Sequence, residues 1–342
     1  MSNLDELMMQ RCIRLAENGL GMTYPNPMVG CVIVHEEKII AEGWHQKAGL
    51  AHAEVNAINQ ISDKEILKKS ILYVSLEPCA HHGKTPPCSD LIIHHQIPKV
   101  VVGTIDSFAK VNGLGIQKMQ NAGIDVKVGV LEKECLDLNK RFFRFHQNKR
   151  PYVILKWAKT ADGFMATEIG EQKWITNEFS KQLVHKWRTE EQAILVGTNT
   201  AQSDNPQLNS RFWAGNQPVR IVLDRRLKLS ADLNLLDHSQ KTIFFTEKSK
   251  ENQANLNFVK IDFDDNLAEQ ILDSLFQLGI QSVIIEGGRQ TLETFMEKEL
   301  WDEARVFTSR ENWNSGILSP EIKGKLVETK MISTDQLEIY KK

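Results

Sequence analysis

Twice along the chain, short apolar, β-branched strings alternate with segments whose apolar residues recur every three or four positions. Such alternation buries sheets beneath helices, and helical crossovers make neighbouring strands parallel, so the chain is confined to α/β layers. In the first half Leu4, Leu7, Met8, Cys12 and Leu15 recur at helical spacing, and Gly19 and Gly21 end that run. Strands are predicted at 31–34, 38–41, 71–75, 100–103 and 125–129, with helices at 51–61 and 115–122 on both faces of one sheet. After Pro151 a second cycle begins, with strands predicted at 152–158, 193–197, 219–224, 242–246, 259–263 and 282–286. Helices are predicted there at 177–188, 267–278 and 290–299. The basic, aromatic run Lys140 to Pro151 marks the domain boundary, since Pro151 interrupts any continuing helix, and being short and isolated it is expected to be a solvated connector rather than a nucleic-acid-binding segment. A length of 342 residues suits two domains at roughly 150 residues each, here 1–147 and 148–342.

Composition excludes several classes. Lys and Arg number 42 against 44 Asp and Glu, a net charge of −2, which leaves no broad basic surface for nucleic acid. Apolar runs such as Val29 to Val34 are far too short for a membrane span. The opening Met-Ser-Asn-Leu-Asp-Glu is acidic and carries no signal-peptide apolar core. Five cysteines, an odd number, are expected to be thiols or metal ligands in a cytoplasmic protein.

The sharpest chemistry lies in His52-Ala53-Glu54, Glu77-Pro78-Cys79 and Cys88. One imidazole and two thiolates suit zinc, and three protein ligands leave a fourth tetrahedral position for water, the catalytic arrangement. Glu54, two residues beyond His52 on a helix, cannot share its direction and is better placed as a proton carrier than as a ligand. Zinc would lower the water's pKa towards ~7, and the carboxylate would move its proton to a leaving amine. This is the His-x-Glu and Pro-Cys signature of zinc nucleobase deaminases, with eight residues between the cysteines in place of two. The insert holds His81, His82 and Lys84, cations that suit an anionic substrate as well as a plain solvated loop. Asn26, before the Cys31 strand, offers an amide that donates and accepts, and equally suits a turn. Cys12, Cys31 and Cys135 read as packing residues, and His94, His95, His146, His185 and His238 as surface or core residues.

Together, Tyr24-Pro25-Asn26-Pro27-x-Val29-Gly30-Cys31, Gly43-x-His45, His52-Ala53-Glu54 and Glu77-Pro78-Cys79-x-His81-His82-Gly83-x-Thr85-Pro86-Pro87-Cys88 resemble the bifunctional riboflavin-biosynthesis deaminase–reductase family. Downstream, Pro151-Tyr152-Val153, Asp162-Gly163, Trp174-Ile175-Thr176, Asp204-x-Pro206-x-Leu208 and Glu286-Gly287-Gly288 continue the likeness over nearly the whole chain. The resemblance implies a cytidine-deaminase-like α/β/α sandwich followed by a dihydrofolate-reductase-like α/β domain. It implies zinc-dependent deamination of 2,5-diamino-6-(5-phosphoribosylamino)pyrimidin-4-one, then NADPH-dependent reduction of the ribosyl group to ribityl. By that likeness His52, Cys79 and Cys88 hold zinc, and Glu54 shuttles the proton. Asn26, His81, Lys84 and Asp106 contact the deaminase substrate. Ala158, Trp174, Thr200, Asp204 and Gly288 bind NADPH, while Gln172, Arg188, Leu208, Arg211 and Glu286 bind the reductase substrate. Two positions depart from the family: Gln172 stands where a Ser is usual, and Phe108 where an Asn is usual.

From the residues alone, the strand ending in Glu286 runs into Gly287-Gly288 and a helix, a turn that lets N–H groups approach a pyrophosphate. No G-x-G-x-x-G follows a strand, which disfavours an ordinary Rossmann domain. Arg188 and Arg211 could grip a phosphate bidentately, and Arg225 with Arg226 could meet the cofactor's 2′-phosphate. Two other readings compete: an RNA-editing deaminase with an appended binding domain, and a non-enzyme with structural zinc. A small-molecule substrate, no nucleic acid, no membrane and a homodimer or larger assembly are expected.

Overall fold

The structure, a computed structural model, describes residues 3–80, 86–106, 113–168 and 174–342. The chain divides into two compact units, Met1–Asn148 and Lys149–Lys342. Among the described residues no helix is long and apolar enough to cross a membrane.

The first unit holds five strands, β1 (Gly30–His35), β2 (Lys38–Trp44), β3 (Ile71–Leu76), β4 (Lys99–Thr104) and β5 (Asp125–Val128). Its helices are α1 (Asn3–Glu17), α2 (Ala53–Asn59), α3 (Cys88–His94), α4 (Leu114–Asn121), α5 (Glu132–Leu138) and α6 (Lys140–Asn148). The sheet order is β2-β1-β3-β4-β5; β1 runs antiparallel to β2 and β3, whereas β3, β4 and β5 are parallel. Strand alternation divides the core in two. Cys31, Ile33, Leu72, Val74, Val100 and Val102 pack with Ala57 of α2, Ile92 of α3 and Met119 of α4. The intervening Val32, Val34, Tyr73 and Val101 face the other way, against Met8, Met9 and Cys12 of α1 and Cys135 of α5. α2 and α3 therefore lie on one face, and both start at its metal-ligand candidates.

The second unit adds β6 (Tyr152–Lys159), β7 (Phe164–Ala166), β8 (Ala193–Gly197), β9 (Val219–Leu223), β10 (Thr242–Thr246), β11 (Leu256–Lys260), β12 (Ser282–Ile285) and β13 (Glu303–Thr308). β14 (Ile317–Leu318), β15 (Lys325–Ile332) and β16 (Asp335–Lys341) complete the strands, and α7 (Glu178–Glu190), α8 (Thr198–Asp204), α9 (Leu267–Gln277) and α10 (Arg289–Glu297) the helices. Nine strands form one sheet in the order β11-β10-β9-β8-β12-β6-β13-β16-β15. It is parallel from β11 to β13, then antiparallel at β16 and β15. One face packs Leu155, Leu195, Phe245 and Ile285 on α9 and α10; the other packs Ile154, Ile194 and Ile284 on α7 and α8. The carboxylate of Asp302 accepts from Arg150 Nη1 (2.6 Å) and Nη2 (2.8 Å) and from the Val153 N–H (2.9 Å), while its carbonyl accepts from the Lys342 N–H (3.3 Å).

Several expectations are corrected. The Lys140–Pro151 run is not a solvated connector: 140–148 is helix α6, which buries Phe142, Phe143 and Phe145. The aromatic residues decide this, because a run of exposed phenylalanines would forgo several kcal/mol of burial. The strand expected at 259–263 lies at Leu256–Lys260, paired in parallel with β10. It ends where Asp262 turns the chain by accepting from the Asp264 N–H (2.8 Å). β13, β15 and β16 follow the last predicted element: β13 joins β6 in parallel, and β16 and β15 make the antiparallel end of the sheet.

Candidate active sites

His52 is the N-cap of α2, extended at φ −73° and ψ 166°, so its ring leaves the helix start rather than joining the helix face. The helix start is seated by Gly43 of β2: a Cβ there would fall 2.4 Å from the Ala53 carbonyl and 2.6 Å from the Ala57 nitrogen. Cys79 follows β3 through Pro78, and Cys88 is the first residue of α3. His52 Nδ1 lies 3.6 Å from Cys79 Sγ and 3.3 Å from Cys88 Sγ, and the Cys88 N–H donates to Cys79 Sγ (3.3 Å). The three ligand atoms are within 4.8 Å of one another. Hydrogen bonding from Cys88, and then from His52, holds the Cys79 thiol well below the ordinary range, whereas the bond to Cys79 and burial push Cys88 up. The bond to Cys79 raises His52. These are the electrostatics of donors sharing protons that a divalent ion displaces on binding. The donor set fits zinc. Glu54 is 3% exposed, and burial, followed by the neighbouring Cys79, raises its carboxyl.

Asn26 is joined to this cluster through a residue whose role the sequence did not disclose. His45 is buried, its Nδ1 lies 3.1 Å from the Ala51 carbonyl, and its Nε2 lies 3.1 Å from Asn26 Nδ2. A carbonyl only accepts, so Nδ1 carries the proton and Nε2 accepts from the Asn26 amide. Burial lowers the His45 pKa, consistent with a neutral ring, and that ring meets His52 edge-on at 5.4 Å. The Asn26 segment is itself pinned by Asn139, whose amide accepts from Met28 N–H and donates to Met28 O, both at 2.8 Å.

Glu77 is the second residue whose work was hidden. It is 4% exposed; Oε1 accepts from Gly115 N–H (2.8 Å) and Ile116 N–H (3.5 Å), and Oε2 from Gly113 N–H (2.9 Å) and Asp106 N–H (3.3 Å). It thereby ties the start of α4 and the end of β4, with Asp106, to the strand that delivers Cys79. Gly115 allows the approach, since a Cβ there would lie 2.0 Å from the Pro78 carbonyl. His81, Lys84 and Phe108 lie outside the described residues.

In the second unit, Ala158, Trp174, Thr200, Asp204, Arg188, Leu208, Arg211, Glu286 and Gly288 all line one cleft of ≈ 700 Å³. A second cavity of ≈ 730 Å³ shares Met165, Ala166, Thr200, Ser203 and Gly288 with it. Gln172 lies outside the described residues. The cleft opens where β6, β8 and β12 end side by side, at the point where strand order reverses, the usual ligand crevice of such sheets. Gly288 meets Thr200 across the cleft at ordinary contact distance, a Cβ there falling 3.4 Å from Thr200 Oγ1. Glu286 accepts from Arg188 Nη2 (2.9 Å), with Lys156 Nζ 3.7 Å away. Burial would raise its carboxyl, but the charges of Arg188 and Lys156 hold it at about 2. Lys156 went unnoticed in the sequence; burial lowers its pKa against the pull of Glu286. Arg225 lines the second cavity with its guanidinium already against Glu247 (2.8 Å) and Asp264 (2.9 Å).

Residues 2–104 match the cytidine and deoxycytidylate deaminase zinc-binding region, and residues 151–309 match the RibD C-terminal domain. The riboflavin biosynthesis protein RibD of Aquifex aeolicus is 42% identical over 320 residues, covering 92% of this chain and 89% of that protein. The Escherichia coli RibD is 34% identical over 322 residues, covering 89% and 87%. A crystal structure from Thermotoga maritima, described as a diaminohydroxyphosphoribosylaminopyrimidine deaminase/5-amino-6-(5-phosphoribosylamino)uracil reductase, superposes with a TM-score of 0.91 at 38% identity, covering 99% and 98% of the two chains. Acinetobacter baumannii RibD gives 0.90 at 32% identity, with the same coverage. A converged set of metal-ligand candidates in one unit, a ligand-sized cleft in the other, and likeness at this level along nearly the full length place the chain in the RibD family of bifunctional riboflavin-biosynthesis deaminase–reductases.

Proposed function

We propose that residues 1–147 deaminate 2,5-diamino-6-(5-phosphoribosylamino)pyrimidin-4-one, and that residues 148–342 reduce the ribosyl group of the resulting aminouracil to ribityl with NADPH. The observation that carries the first half is the convergence of His52 Nδ1, Cys79 Sγ and Cys88 Sγ beside a buried Glu54. His52, Cys79 and Cys88 would hold zinc, whose Lewis acidity makes water nucleophilic near neutral pH. Glu54 takes a proton from the attacking water and returns it to the amino nitrogen; a carbon–oxygen bond forms, a carbon–nitrogen bond breaks, and ammonia leaves. Asn26, oriented by His45, keeps its Oδ1 for the pyrimidine. Asp106 contacts the same ring, and His81 and Lys84 meet the phosphate.

For the reduction, Ala158, Trp174, Thr200, Asp204 and Gly288 would hold NADPH, which would supply the hydride for C1′ of the opened sugar. Gln172, Arg188, Leu208, Arg211 and Glu286 hold and orient the substrate. The described members of both sets line one cleft, which supports donor and acceptor being held side by side. A structural-zinc role is disfavoured because only three ligating side chains gather at His52 among the described residues. We further infer a cytoplasmic homodimer or larger assembly. The five free thiols support the reducing compartment, and exposed Leu326, Val327 and Met331 on the edge strand β15 support pairing.

The test is nicotinamide absorbance against time with the diaminopyrimidine substrate, NADPH and either wild type or Glu54→Gln. Wild type is expected to consume NADPH and the variant not to. Equal consumption by both would sink the role of Glu54 or the order of the steps.

A further inference from the structure

The reductase cleft contains a titratable group that none of the roles above uses. His185, on the inward side of α7, lines the cleft and is only 5% exposed, yet among the described residues its Nδ1 has no hydrogen-bond partner. Buried polar atoms without a partner are rare, and one on a residue that lines a ligand cleft is suited to a partner supplied by the ligand. The ring meets Phe212 edge-on at 4.7 Å.

Its charged neighbours indicate what that ligand group is. Arg188 on the same helix, Arg211 on the following loop and Glu286 at the end of β12 all act on the imidazole. Arg188 is committed to Glu286 and to the Asn209 carbonyl (3.1 Å), and Glu286 is further shared with Lys156. Among the described residues Arg211 bonds to the side-chain oxygen of Asn209 (3.0 Å) and lies over the Phe212 ring, with no carboxylate against it, so positive charge is left over on the side of the cleft where His185 stands. Positive charge in excess beside an unpaired imidazole nitrogen suits a phosphate oxygen.

We propose that His185 binds the phosphate of the reductase substrate together with Arg211, with Arg188 fixed behind them by Glu286. This rests on the reductase assignment above. A consequence follows for protons. Burial, then Arg188 and Arg211, push the imidazole pKa down to about 4, against the opposite pull of Glu286 and the Asn209 backbone, so the free cleft holds a neutral ring at pH 7. An arriving phosphate dianion offsets the two guanidinium charges and favours imidazolium. Binding therefore takes up a proton from solvent, and it sits on the ring facing the anion.

The experiment measures NADPH oxidation by the full chain with the phosphorylated ribosylaminouracil and with its dephosphorylated counterpart, for wild type, His185→Phe and Arg211→Gln. Phe retains the ring contact with Phe212, and a thermal melt matching wild type checks that the variant is folded. The expected result is a KM for the phosphorylated substrate raised about tenfold or more in His185→Phe, with kcat within about twofold and no change for the dephosphorylated substrate. Calorimetry of phosphorylated-substrate binding at pH 7, in two buffers of different ionisation enthalpy, is expected to show proton uptake in wild type that the variant loses. An unchanged KM, or an equal rise for both substrates, overturns the role of His185 while Arg211→Gln still weakens binding. If wild type fails to oxidise NADPH, the reductase assignment falls, and this inference with it.

Discussion

Replacing Glu77 tests whether one carboxylate holds the floor of the deaminase site. Its two short bonds, to Gly113 and Gly115 N–H at 2.9 and 2.8 Å, involve a charged acceptor in a buried setting. Such bonds are worth about 1.5–3 kcal/mol each, and the longer pair from Asp106 and Ile116 adds less. Glu77→Ala removes all four acceptor contacts and is expected to destabilise the first unit by about 3–5 kcal/mol, a large part of a typical domain's stability. Glu77→Gln keeps one acceptor oxygen and points an NH₂ donor at the other pair of N–H groups, so about 2–3 kcal/mol is expected. The assay is amide exchange followed peptide by peptide, combined with urea unfolding and zinc content. Residues 113–116 should lose protection in the order wild type, Gln, Ala, while peptides from residues 149–342 keep theirs. If Gly113 and Gly115 exchange as slowly in Glu77→Ala as in wild type, the carboxylate is not what secures them, and the reasoning fails.

Gly115→Ala drives a methyl into the Pro78 carbonyl, 2.0 Å away, so zinc per chain and ammonia release should both fall while reduction of supplied aminouracil persists. Prolonged chelation is expected to abolish ammonia release and leave NADPH oxidation with the aminouracil intact; loss of both activities would argue for a purely structural ion. Glu286 is held at about 2, below its ordinary 4.5, so its stabilising contribution is full above the ordinary value and is lost as pH falls towards 2. Wild type should therefore lose on the order of 3 kcal/mol across that window in acid-unfolding curves of the second unit, and Glu286→Gln should begin less stable and show a shallower acid slope.

The candidate metal ligands, which the fold brings together, were legible in the sequence because the chemistry needs those residue types, and the elements that deliver them have a period. His52 and Glu54 sit at a helix start, and Cys79 just after an apolar strand. His45 and Glu77 stood in quoted motifs, yet their work could not be read from them. Asn26 and His45 meet across 19 residues, and Glu77 acts on backbone N–H groups 29 to 39 positions away. Contacts of that kind leave no periodic trace. Helix α6 was missed for a different reason: its charged residues mask three phenylalanines whose burial depends on tertiary packing. The antiparallel tail was missed because β15, on the sheet edge, is largely exposed and lacks the apolar string of a central strand. In the reductase cleft, Arg188 and Glu286 were both named as substrate residues, but only the fold shows them bonded to each other across 98 positions.

The Asp302 junction bears on how the second unit can be handled as a piece of chain. Arg150 and Lys342 both meet this one residue, so the backbone of the unit leaves from the neighbourhood to which it returns. A fold with adjoining ends can be grafted, excised or circularly permuted without threading any strand. A short Gly-Ser bridge from 342 to 149, with new ends opened in the exposed stretch near Lys250 to Asn255, preserves the order of all nine strands.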